Sequence, residues 1–208
     1  MPTKAAAGAI VGSRAEIGED CVIGPFAVIE DAAKVGRATK VWHFAHVRSG
    51  AVIGDACILG KGAYVDTGAV VGNGCKLQNN VNVYNGVQLG NGVFVGPNAS
   101  FTNDLRPRAA LWGKERLGLT IVDDGASIGA NSVIVCGKPG ETRRLGAHCM
   151  VGAGSVVSCN IPPHALVKGN PASLAGWVCK CGRKLAGRDA KAGTVLPCSC
   201  GESFTVVK

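Results

Sequence analysis

The sequence predicts an all-β protein: a parallel β-helix of triangular section followed by a small metal-binding appendage. Three observations predict it. From Val11 to Phe101 an aliphatic or aromatic residue recurs every six positions, sixteen times without a slip. Four positions after each of them, from Ala15 and Cys21 to Val93 and Ala99, the residue is small. Near the C-terminus the chain carries Cys179-Lys-Cys181-Gly and Cys198-Ser-Cys200-Gly. A period of six fits neither a helix at 3.6 nor simple strand alternation. It marks hexapeptide coils, in which three hexads make one turn of about 18 residues.

The aliphatic position and the small position both point inward. Successive coils then stack at about 4.8 Å, the spacing between hydrogen-bonded strands. With 31 glycines and only 5% aromatics, the core is expected to be columns of stacked aliphatics. The frame breaks after Phe101, resumes with Val122, Ile128 and Ile134, breaks again, and resumes with Leu145, Val151 and Val157. The first break leaves a 19-residue loop, Asn103–Ile121. Loops beyond about 12–15 residues in compact domains are usually functional or disordered. This one carries Arg106, Arg108, Trp112, Lys114 and Arg116, which suits a binding arm. The second break, Gly137–Arg144, is also basic. The expected domains are residues 8–176 for the β-helix and 177–208 for the tail.

The corners divide into three rows. Directly after the aliphatic position, one row reads Gly18, Gly36, Gly54, Gly72, Gly90. Glycine there is expected to supply both a positive φ and close approach, so this edge reads as a bare structural turn. A second row, with its neighbours, carries Trp42, His43, Lys61, Gln78, Asn79 and Asn80. The third carries Glu30, Arg48, Asp66, Tyr84 and Thr102, and runs into Asn103 and the long loop. Glu30, Arg48 and Asp66 read either as a solvated charge ladder or as part of a site. Tyr84 and Asn103 read as binding residues, and so do the clustered amides of the second edge. His43 and His46 are candidates for substrate contact or for a general base. His148 and His164 read as ordinary surface groups.

A net charge of +8 favours anionic partners. Without a run of five Lys or Arg, phosphorylated small molecules fit better than nucleic acid. No stretch of 18 apolar residues predicts a membrane span, and the start resembles no signal peptide, so a cytoplasmic protein is expected. Cys21, Cys57, Cys75 and Cys149 occupy the small inward position and read as reduced hydrophobes. The four tail cysteines, Cys179, Cys181, Cys198 and Cys200, have the composition of a tetrahedral Zn²⁺ site, with a disulfide pair or free thiols as the alternatives. So short a tail cannot bury enough core by itself, and a metal would supply folding energy.

The runs Val41-Trp-His-Phe-Ala-His-Val47, Lys76-Leu-Gln-Asn-Asn-Val-Asn-Val-Tyr84, Phe101-Thr-Asn103 and Arg106-Pro-Arg-Ala109 resemble nucleotide-sugar N-acetyltransferases of the left-handed β-helix superfamily. The similarity is greatest to those that acetylate a 3-amino group on a UDP- or dTDP-linked sugar. It extends through Ile128-Gly-Ala-Asn131, Val151-Gly-Ala-Gly-Ser-Val-Val157 and Ile161-Pro-Pro-His-Ala-Leu-Val-Lys-Gly-Asn-Pro-Ala172, covering about residues 8–178. The resemblance implies a left-handed coil, a homotrimer, and acetyl-CoA and nucleotide sugar meeting in clefts between neighbouring prisms. It implies that Asn103 contacts the sugar amine, and that acetyl-CoA lies along the C-terminal coils near Ala153, Gly154 and Lys168. Gly137–Arg144 and Asp104-Leu-Arg106 depart from the family pattern.

A neutral amine attacks a thioester without a dedicated base, so alignment by Asn103 is the expected mechanism, with His43 or His46 as base the competitor. O-acetylation of a small sugar or serine, or a non-catalytic scaffold, are the alternatives. A β-helix carbonic anhydrase is disfavoured, because His43-x-x-His46 has the wrong spacing for its metal-binding pair and no third histidine lies nearby.

Overall fold

The computed structural model describes residues 3–111 and 113–207; Trp112, placed by the sequence in the binding arm, lies outside the described residues. Strands of mostly two residues, each joined to the next by a four-residue corner, form three faces of a prism. From Lys4 to Phe101 the strands pair in parallel with those a full coil away, as in Val22↔Lys40, Tyr64↔Asn82 and Val52↔Val70. The offset is the 18 residues that three hexads predict. Face A holds Val22–Ile23, Lys40–Val41 and Lys76–Leu77, face B His46–Val47, Tyr64–Val65 and Asn82–Val83, and face C Lys34–Val35, Val52–Ile53 and Val70–Val71. The chain visits them in the order A, B, C.

The second residue of each strand points inward, so Ile29, Val47, Val65, Val83 and Phe101 form one fully buried column behind face B. The small residues complete the interior: Ala45, Cys57, Ala63 and Cys75 are fully buried. Their side chains fit where the wall turns, which is why larger ones are missing there.

The corners differ from the sequence reading in two ways. The left-handed residue is not the glycine directly after the strand but the residue two further on: Phe26, Ala38, Phe44, Gly50, Gly74 and Asn80 all have φ between 54° and 72°. The glycines directly after the strand are required by proximity alone. A Cβ on Gly72 would lie 2.6 Å from the carbonyl carbon of Gly90 in the next coil. Nor is the glycine edge, between faces C and A, bare. Its next residues form a ladder in which a side-chain oxygen caps the backbone N–H one coil below. Arg37 N donates to Asp55, Asp55 N to Asn73, Asn73 N to Asn91 and Asn91 N to Asp124, at 2.7–2.9 Å.

Both interruptions of the period leave from the edge between faces B and C, on successive coils, because Phe101 and Ile134 are both face-B residues. They rejoin face C side by side: Leu119–Val122 pairs in parallel with Thr142–Leu145. At the C-terminal end, Ala165–Lys168 adds to face A and then pairs antiparallel with Ser173–Val178, which is followed by Lys184–Ala186. A hairpin of Val195–Pro197 and Ser203–Thr205 closes the tail.

Candidate functional site

Face B is the polar face. Its outward residues in successive coils are His46, Tyr64, Asn82 and Ser100. Residues directly before and directly after the inward aliphatic share the outer side of the wall, by the two-residue alternation of a strand. The face-B side chains therefore continue into the BC edge. Glu30 Oε1 lies 2.7 Å from His46 Nε2, and Glu30 Oε2 accepts from Ser49 N at 2.9 Å. Arg48 Nε lies 2.8 Å from Glu30 Oε1, an ion pair without hydrogen-bond alignment. Arg48 Nη1 donates to the Tyr64 hydroxyl at 2.9 Å, and that hydroxyl donates to Asp66 at 3.0 Å. Tyr64 also meets His46 edge-on and Tyr84 at a tilt, each at 5.6 Å.

The Ser49 N–H, with His46 and Arg48 beside it, holds the Glu30 carboxyl below its ordinary range. An ionised carboxylate only accepts, so His46 donates through Nε2. Burial raises the Tyr64 phenol, which stays protonated between Arg48 and Asp66. The charge ladder read from the sequence is thus real, and it is larger than expected. His46 and Tyr64 belong to it, which the shared outward direction of their positions could have revealed.

The AB edge carries the amides. Asn79 Oδ1 accepts the Lys61 N–H at 2.9 Å, the same corner cap seen on the CA edge, so this oxygen closes the corner. Asn80 Nδ2 donates to Asn98, and Asn82 Nδ2 to Ser100, both at 3.1 Å. Gln78 is half-buried at the margin of face B, whereas His43 is exposed and stacks on Trp42. Ala153, Gly154 and Lys168 lie on this same edge, in the last coils, and all are exposed. Tyr84 and Asn103 lie on the opposite margin of face B, the BC edge.

The long loop folds onto itself at that margin. Arg116 pairs with Asp104 at 2.9 Å and also donates to the Arg106 carbonyl, and the Arg106 N–H caps Asp104 at 2.7 Å. That N–H, then Arg116, keeps the Asp104 carboxyl below its usual range. Asn103 and Arg108 line one groove of about 430 Å³ with Asp104, Pro107 and Leu111. Arg106 lines another of about 750 Å³ with Glu115, Arg116, Lys138 and Pro139. Lys138 comes from the second interruption, a neighbour that only the common edge explains. Among the described residues, Cys179, Cys181, Cys198 and Cys200 bring their sulfurs within 4.8 Å of one another, an arrangement able to hold a metal ion. No helix of the described residues is long and apolar enough to cross a membrane.

Two family models match the repeat. Residues 32–67 and 68–103 fit the bacterial transferase hexapeptide family (six repeats), and residues 50–85 fit the hexapeptide repeat of succinyl-transferase. The structure of the Francisella novicida UDP-N-acetylglucosamine acyltransferase covers 84% of this chain and 70% of its own, with a TM-score of 0.57 and 16% identity. That likeness establishes the fold, a left-handed parallel β-helix. The coils over residues 32–103 are similar to those of hexapeptide-repeat transferases. More particularly, the chain is 50% identical over 90 residues to a dTDP-3-amino-3,6-dideoxy-alpha-D-galactopyranose 3-N-acetyltransferase of Aneurinibacillus thermoaerophilus, a match covering 43% of this chain and 42% of that protein. It is 44% identical over 57 residues to serine acetyltransferase 4 of Arabidopsis thaliana, across 27% of this chain and 15% of that one. The chain thus spans less than half the length of either curated relative in these matches. Both of these relatives are named as acetyltransferases.

Proposed function

We propose that the protein is an acetyl-CoA-dependent N-acetyltransferase acting on the 3-amino group of a UDP- or dTDP-linked amino sugar, in polysaccharide or glycan biosynthesis. One observation carries it: the polar column of face B, which leads from His46 through Tyr64, Asn82 and Ser100 to the level of Asn103. Three coils separate the ends, about 14 Å at the usual strand spacing. That is a track for an extended diphosphate-linked ligand, with the cations Arg106 and Arg108 at the reacting end. In this reading His46, Tyr84, Gln78, Asn79 and Asn80 border the nucleotide sugar. Asn79 contributes its Nδ2, since its Oδ1 closes a corner.

Asn103 accepts a hydrogen bond from the sugar amine and aims the nitrogen lone pair at the thioester carbon. The C–N bond forms first, giving a tetrahedral oxyanion, and the collapse of that oxyanion breaks the C–S bond. A backbone N–H at a neighbouring corner holds the oxyanion, and the departing thiolate takes the proton released by nitrogen. No histidine is needed. His46 sits three coils away from Asn103, too far to share one acceptor atom.

Ala153, Gly154 and Lys168, assigned to acetyl-CoA, lie on the AB margin, and Asn103 lies on the BC margin. A hexad spans up to about 20 Å. A homotrimer brings the AB edge of one prism to the BC edge of the next and closes that gap. We place the enzyme in the cytoplasm, where thiols stay reduced, with the β-helix of residues 8–176 as the transferase body. The tail of residues 177–208 takes one structural zinc ion.

Acetyl-CoA consumption, measured with UDP- and dTDP-linked 3-amino sugars, tests the assignment. The cognate sugar should also raise thermal stability, by about 2.7 kcal/mol at a hundredfold excess over Kd. Failure of every 3-amino sugar to turn over would reject it. One observation favours O-acetylation instead: Glu30 orients the His46 ring through Nε2 at 2.7 Å, the arrangement of a positioned histidine base, which an alcohol acceptor would require. In that case His46→Asn would abolish turnover of serine or a simple sugar.

A further inference from the structure

The tail ends in a plug. Phe204 stacks on His164, with ring centroids 4.3 Å apart and planes 11° apart, and lies 6.0 Å from Trp177. Trp177 and Val206 are each 1% exposed. His164, read from the sequence as an ordinary surface group, donates through Nδ1 to the Val178 carbonyl at 2.9 Å, and its neighbour His148 lies 5.2 Å away. These contacts cover the last coil, where an open β-helix would expose its core and unpaired strand groups.

Beyond Val206, the tail's packing on the core is by partly buried residues, Ala186, Ala190, Leu196 and Phe204. Lys191–Leu196 is largely exposed, and the hairpin that carries Phe204 has three residues per strand. Cys198 and Cys200 lie in the turn of that hairpin, and Cys179 and Cys181 lie just after the strand that carries Trp177. Cys179 follows Trp177 by two residues, and Cys200 precedes Phe204 by four. Each cysteine pair sits in the same turn. Gly182 N donates to Cys179 O at 2.8 Å and Gly201 N to Cys198 O at 3.0 Å, with both glycines at positive φ. Across the turns Cys179 faces Cys200 at 3.5 Å and Cys181 faces Cys198 at 3.7 Å, and Lys180 pairs with Glu202 at 3.0 Å. Those separations are far from a disulfide and suit four sulfurs around one ion.

We propose that a zinc ion held by Cys179, Cys181, Cys198 and Cys200 is the lock on this plug, fixing Phe204 against His164 and Trp177 and so sealing the C-terminal end of the β-helix. Four sulfurs in near-tetrahedral proximity select zinc over oxygen-seeking cations. Two turns that are otherwise joined by one ion pair become a single rigid unit. The lock is independent of the acetyl-transfer reading.

The test uses full-length protein, purified reduced, with Trp42→Phe and Trp112→Phe so that Trp177 is the sole tryptophan. Elemental analysis should find one zinc per chain. Chelation should increase acrylamide quenching of Trp177 several-fold, leave the β circular-dichroism signal in place, and be reversed by zinc. Phe204→Ala should keep its zinc yet show the raised quenching with zinc bound. Cys181→Ser should lose zinc, and if that variant does not fold, the chelation and Phe204→Ala arms still decide. Absent zinc, iron in its place, or quenching indifferent to chelation would each overturn the lock.

Discussion

The CA edge and the BC edge are corners of one prism, turned by the same backbone, yet they are built to opposite ends. On the CA edge every free position serves closure. Glycines let coils touch, and Asp55, Asn73, Asn91 and Asp124 cap the N–H groups of the coil before. On the BC edge bulky and charged residues replace the glycines, their partners include other side chains as well as backbone N–H groups, and two insertions leave the wall. The difference teaches that one tightly laced edge suffices to hold register, which frees another to carry chemistry.

Substitutions should split along that line. The largest expected effect lies on the BC edge. Asn103→Ala should lower acetyl transfer by about 10²-fold or more through lost alignment, with thermal stability unchanged. Retention of full activity would remove Asn103 from the mechanism. Next comes Gly72→Ala on the CA edge, where the added methyl meets backbone at 2.6 Å. It should destabilise the fold by about 1–3 kcal/mol in urea titrations, while the remaining folded protein keeps its turnover. Asn73→Ala, which uncaps Asp55 N, should cost about 1 kcal/mol. A larger loss of activity than of stability in either variant would blur the division.

The smallest effect concerns pH. The folded Glu30 carboxyl lies below its ordinary value because Ser49 N–H, His46 and Arg48 favour the anion. Its stabilisation is therefore complete above the unfolded carboxylate range of about 4.3 and disappears as pH falls through the lower folded value. Glu30→Gln should flatten that part of the acid limb in denaturation midpoints. An unchanged acid limb would mean that solvent screens the cluster.

The coil, its 18-residue register and the inward columns were legible because burial restricts two positions in every six. The corner conformation was not. Left-handed φ falls on Phe26, Ala38 and Phe44 as well as on glycines, so composition does not mark the position. The CA ladder was hidden for a related reason: Asp and Asn look solvated in sequence, and only stacking aims Asn73 Oδ1 at Asp55 N. The residues around Asn103 were nameable from the long loop. Lys138 beside Arg106 was not, since a single coil's displacement sets that contact.

Both departures from the period open on one edge, between neighbouring coils, while the two other edges run on. A wall laced elsewhere tolerates additions there without re-registering a single strand. Lengthening or exchanging 103–118 or 137–141 thus amounts to swapping tools on a fixed handle, with the prism staying as it is.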